Sequence, residues 1–93
     1  MFTVQFINKG SYPVDIKKYD DGWNEQMVRP KLDAKGESSH ETYLAQKWLF
    51  KRSDSGHRMK AYVNGITSEV FAGCRFGAEP GRLLVVNICD GNK

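Results

Sequence analysis

The sequence predicts an all-β domain, an antiparallel β-sandwich of seven to eight short strands. Three observations carry this. Apolar residues recur at every second position in several segments, which puts them on one face of a strand. No segment sustains a 3.6-residue apolar period, so no amphipathic helix is expected. Glycine and proline punctuate the chain at short intervals, as turns do in a multi-stranded β fold.

Phe2 to Asn8 alternates, with Phe2, Val4 and Phe6 on one face and Thr3 and Gln5 on the other. Lys9-Gly10-Ser11 interrupts it, and Pro13 keeps the next residues extended. Val14 to Tyr19 alternates again, with Val14 and Ile16 inward. Asp20-Asp21-Gly22 predicts a turn in which Gly22 supplies a positive φ. Trp23 to Val28 is a weaker strand, and Arg29 to Gly36 leads into a second turn. Ser38 to Tyr43 is polar and β-compatible, which suits an edge strand.

Thr42 to Phe50 is the densest aromatic-aliphatic run, and Trp48 is its expected core hub. Gln46 to Lys51 sets Trp48 and Phe50 on one face and Lys47 and Lys51 on the other. After a loop at Ser53 to Gly56, Arg58 to Val63 places Met59, Ala61 and Val63 on one face. Asn64-Gly65 is the strongest hairpin signal, and Ile66 to Phe71 returns from it. Gly73 to Gly81 is irregular. Arg82 to Ile88 is apolar on both faces, as a central strand is, and Asp90 to Lys93 is a tail.

Ninety-three residues make one domain, 1–93, with room for one core. Hydrophobic residues at 40% argue against disorder. A net charge of +3 is small, and its lysines are interspersed with carboxylates. They read as a solvated face, so no nucleic-acid partner is expected. No run approaches the roughly 20 apolar residues of a membrane span, and no signal peptide precedes the first strand. The compartment stays open between a cytosolic chain and the mature form of a secreted one, and a monomer is expected.

Cys74 and Cys89 flank Pro80-Gly81. A hairpin there would bring them together, and a disulfide would contribute roughly 3 kcal/mol through loop closure. Two separate thiols are the alternative. Two cysteines and two scattered histidines make no metal site, and no cofactor is expected.

No nucleophile elbow, active-site cysteine signature or phosphate-binding glycine loop is present, so the chain reads as non-catalytic. His40 and His57 read as solvated surface residues. Binding is the better reading, because exposed Trp and Tyr dominate contact surfaces. Trp48 suits the core, with a ligand wall as the alternative, and Trp23, beside a turn, suits partial exposure. One alternative is a small secreted inhibitor stapled by Cys74–Cys89, presenting Ser53 to Arg58 or Arg75 to Arg82. Another is a carbohydrate-binding sandwich with Trp23 and Tyr19 as stacking platforms.

Several pieces, in order, resemble the β-domain of the von Hippel–Lindau tumour suppressor family. They are Val4-x-Phe6-x-Asn8 with Val14, Asp21-Gly22, Leu32-x-x-x-Gly36, Thr42-Tyr43-x-x-x-x-Trp48-Leu49-Phe50, Val63-Asn64-Gly65 with Phe71, and Asn87-Ile88. The resemblance implies a β-sandwich of seven to eight strands. It also implies a peptide pocket, which in the family captures hydroxyproline with two tryptophans, a tyrosine, a serine and a histidine. Trp48 matches the second tryptophan, Thr42 the serine and Gln46 the histidine. The first tryptophan falls near Lys17 or Lys18 and the tyrosine near Arg29, so two aromatic walls are replaced and the pocket is only partly retained. The elongin-binding helical domain of the family's animal members has no counterpart in this chain. The implied function is protein or peptide binding at Thr42, Tyr43, Gln46 and Trp48. Lys17, Lys18 and Arg29 favour an acidic partner, with Trp23 as a further contact.

Overall fold

In the computed structural model, which describes residues 1–90, the alternating segments fold as nine strands. They are β1 (Phe2–Asn8), β2 (Val14–Tyr19), β3 (Glu25–Leu32), β4 (Glu37–Thr42), β5 (Trp48–Arg52), β6 (Arg58–Val63), β7 (Ile66–Ser68), β8 (Val70–Phe71) and β9 (Leu83–Cys89). The tail expected over 91–93 lies outside the described residues. The strand order is β3-β2-β5-β6-β9-β1-β4, with β7 on β6 and β8 on β5. The end strands β3 and β4 approach within 8 Å of each other, so the sheet curls into a nearly closed barrel around one core. The domain is all-β, as the period-two pattern requires.

Every pairing is antiparallel except one: β1 and β9 run parallel, from Thr3 opposite Leu83 to Asn8 opposite Ile88. The sheet is therefore mixed rather than purely antiparallel. The physical reason is the Gly73–Gly81 segment. It carries the chain through a 3₁₀ turn (Gly73–Arg75) back to the start of β1. There Gly81 N–H donates to the Met1 carbonyl and Thr3 N–H to the Arg82 carbonyl, so β9 starts where β1 starts.

The same geometry removes the cysteine pairing. Cys74 lies in the 3₁₀ turn near Phe2, whereas Cys89 ends β9 beside the far end of β1. A seven-residue strand separates those ends by about 20 Å. A disulfide needs Cα atoms within about 7 Å, and both thiols are free.

Phe6 is the hub of the core. Its ring lies 5.2 Å from Trp48, 5.1 Å from Phe50 and 5.9 Å from Phe71, all three buried. Val4, Val14, Ile16, Met59, Ala61, Val86 and Ile88 complete the packing. Burying each large apolar side chain is worth roughly 1.5–3 kcal/mol. Leu49 is also fully buried, although alternation turns it to the opposite face from Trp48 and Phe50. It pairs with Lys17, and Glu25 bridges Lys17 at 3.3 Å and Lys51 at 2.9 Å on that side. β9 is central, but only its inner face is covered. Val86 and Ile88 are buried, while Leu83 and Val85 stay exposed on the outside of the barrel.

The turns refine the expectations. Asn64 (φ 50°) and Gly65 (φ 85°) form the predicted hairpin turn with both central residues left-handed. Its return arm splits at Glu69, where the chain leaves β6 (through β7) for β5 (through β8). At the Asp20 turn the positive φ belongs to Trp23 (63°), not to Gly22. Arg29 to Leu32, expected to lead into a turn, instead continues β3. A bulge accommodates Pro30, where Asp15 accepts the Lys31 N–H.

Candidate functional site

Among the described residues β3 pairs only with β2, and β4 only with β1, so the barrel has an unzipped seam with an open backbone edge on each side. A groove of about 450 Å³ lies along this seam. Lys18 and Val28 form one wall, His40 and Thr42 the other, and Gln46 and Trp48 also line it. The sequence places them there by alternation. Lys18 follows the buried Val14 and Ile16 at two-residue steps, and sits opposite Trp48 in the ladder. Ser38, His40 and Thr42 share the inward face of β4.

Polar groups brace the groove. Trp48 Nε1–H donates to Thr42 Oγ1 at 3.1 Å, with both residues buried. Gln46 Nε2 donates to the carbonyls of Tyr19 at 2.8 Å and Lys47 at 3.1 Å, tying the loop before β5 to the end of β2. Thr42 retains a hydroxyl proton to donate, and the Gln46 amide oxygen remains an acceptor.

His40 corrects the expectation of a solvated ring. It is half-buried, stacks 5.6 Å from Trp48 and 6.0 Å from Phe6, and its Nε2 lies 2.7 Å from Ser38 Oγ. Burial first, then the charges of Arg29 and Lys18, hold its pKa below the ordinary 6.5, so the ring is neutral at pH 7. Sequence reasoning missed it because Ser38 to Glu41 looks uniformly polar. The two-residue step from Thr42 to His40 was the available signal. Among the described residues no carboxylate is hydrogen-bonded to this ring, so Ser38 and His40 lack the orienting acid of a triad.

The other expected residues divide. Arg29 is exposed on β3, and its charge reaches His40. Lys17 points away from the groove, to Glu25 on the outer face. Tyr43 is 64% exposed and lines the groove together with a second hollow of about 350 Å³ beyond Gln46. Trp23, 63% exposed, belongs to that second hollow, with Tyr19, Asp20, Asp21 and Lys47.

Among the described residues no group of His, Cys, Asp or Glu is placed to hold a metal ion, and no helix is long and apolar enough to cross a membrane. No protein-family model and no curated protein sequence matches the chain.

Proposed function

We propose that this chain is a non-catalytic protein- or peptide-binding module of the von Hippel–Lindau β-domain kind, taking an extended ligand along the seam between β3 and β4. The observation that supports this reading is the convergence of Thr42, Gln46, Trp48 and Lys18 on one groove bounded by two unpaired strand edges. Open edges supply main-chain hydrogen bonds to an extended peptide, and pockets between them select its side chains. Trp48 is the packing surface, while Thr42 and Gln46 are the hydrogen-bonding groups. His40, beside Trp48, takes part of the place of the missing aromatic walls. Lys18 and Arg29 favour an acidic residue near the His40 end. The secreted-inhibitor alternative loses its staple with the cysteines apart.

The test is a titration with an acidic peptide containing one hydroxyproline, beside its proline twin. NMR shifts at Thr42, Gln46 and the Trp48 indole are the readout. Saturable shifts that Gln46→Ala weakens support the groove. A preference for the hydroxyproline peptide supports the pocket, and equal affinity removes that element. No shift with either peptide overturns the reading.

A further inference from the structure

The second hollow has a chemistry of its own. Trp23 sits in the left-handed region, φ 63°, where an L side chain costs roughly 1–2 kcal/mol and glycine is at home. The residue is 63% exposed, so the fold gains little burial in return. A tight turn holds it there. Asp20 Oδ1 accepts the Gly22 and Asn24 N–H groups, each at 2.9 Å, and Oδ2 accepts Gln26 Nε2 at 3.0 Å. The Trp23 N–H itself donates to the Asp20 carbonyl. Strain of this kind persists where the surrounding structure over-determines it, and it clusters at ligand sites.

The hollow already holds a cation. Lys47 Nζ lies 5.2 Å from the centroid of the Trp23 ring, and the Tyr19 ring stands 5.3 Å from the indole, tilted by 58°. Asp20 and Asp21 also line it, so its lining residues carry two carboxylates against the one ammonium of Lys47. Backbone hydrogen bonding from Asn24 heads the causes that keep the Asp20 carboxyl below its ordinary pKa, so it is ionised at neutral pH. Aromatic faces with adjacent carboxylates attract guanidinium and ammonium groups.

We infer that the hollow formed by Trp23, Tyr19, Tyr43 and Asp21 is a binding site for a partner's basic side chain, arginine above all, with Lys47 as an internal competitor for the Trp23 face. A planar guanidinium stacks on the indole while its N–H groups reach Asp21. The site deepens the peptide reading, because Tyr43 and Gln46 line both the hollow and the groove. A ligand with an acidic residue near Lys18 and Arg29 and a basic one at Trp23 is thereby oriented along the seam.

The experiment uses a probe too short to span the groove, so this inference and the peptide reading fail separately. N-acetyl-arginine amide and its neutral isostere N-acetyl-citrulline amide are titrated at low salt, following the Trp23 indole N–H by NMR. The expected result is a saturable shift with the arginine probe that exceeds the citrulline response. Lys47→Ala, which removes the competitor, binds about 2- to 5-fold tighter, the worth of one exposed cation–π contact. Trp23→Gly, followed at the Tyr19 and Tyr43 ring signals that shift with it in wild type, loses the response. Equal responses to the two probes, no response in either wild type or Lys47→Ala, weaker binding by Lys47→Ala, or a response only to a neutral oligosaccharide would each overturn it.

Discussion

The Trp48 indole N–H donates to the hydroxyl of Thr42 at 3.1 Å, and this bond joins the core to the groove. Trp48 begins β5 and Thr42 ends β4, strands that do not pair with each other. The bond spans the loop between them. It fixes the indole so that one side packs on Phe6 and another borders the seam.

Thr42→Val tests that bond. Valine keeps the shape and the β-branching but removes the acceptor, leaving a buried indole N–H unpaired. The expected loss is about 1–3 kcal/mol of unfolding free energy, whereas Thr42→Ser, which keeps the hydroxyl, loses less. Urea denaturation of the three proteins measures it. Equal stability of Thr42→Val and wild type would mean that solvent satisfies the indole instead.

Alternation made the buried faces of β1, β2, β5 and β6 legible, because a residue's face follows from its parity. The Asn64-Gly65 turn was legible because few dipeptides accept two positive φ angles. The hub was not: Trp48 stands out in the sequence, yet three aromatic rings gather around Phe6, whose neighbours come from distant strands. Nor was the parallel β1–β9 pair, since parity is blind to strand direction. Of the residues singled out in the sequence, Thr42, Gln46, Trp48 and Lys18 line one groove. Lys17 and Lys18 separate because adjacent residues of a strand face opposite ways. His40 was hidden among polar neighbours that face outward.

His40 gives the fold a pH dependence near neutrality. Its pKa is lowered in the folded state by burial, Arg29 and Lys18, so between that value and 6.5 the unfolded chain binds more protons than the folded one. Stability therefore rises with pH through this window and falls as pH drops below about 6.5. Glu25, held below its ordinary pKa chiefly by its hydrogen bond from Lys51, has the same sign, but its loss comes below the usual 4.5. The two are thus separable. Wild type is expected to lose stability between pH 7.5 and pH 5.5, and His40→Gln to lose less. Parallel pH profiles for the two proteins would assign the effect elsewhere.

The separation of Cys74 and Cys89 predicts two titratable thiols in the native protein. Cys74 is exposed and Cys89 half-buried at the end of β9. A thiol reagent should therefore show a fast phase and a slower one, together accounting for both cysteines. A reducing agent should leave the melting temperature unchanged. A native protein with no reactive thiol, whose melting temperature falls on reduction, would contradict this arrangement.

The left-handed Trp23 separates a conformational effect from a contact effect. Trp23→Ala and Trp23→Gly both remove the indole, with its contacts to Tyr19 and Lys47. They differ at φ 63°, where alanine keeps the strain and glycine relieves it. Glycine also loses more entropy on folding, by roughly 0.5–1 kcal/mol relative to alanine, which offsets part of the relief. With the strain at roughly 1–2 kcal/mol, Trp23→Gly is expected to be more stable than Trp23→Ala by about 0.5–1 kcal/mol. Thermal or urea melts of the pair measure the difference. A less stable glycine variant would show that the turn does not hold residue 23 in the left-handed region.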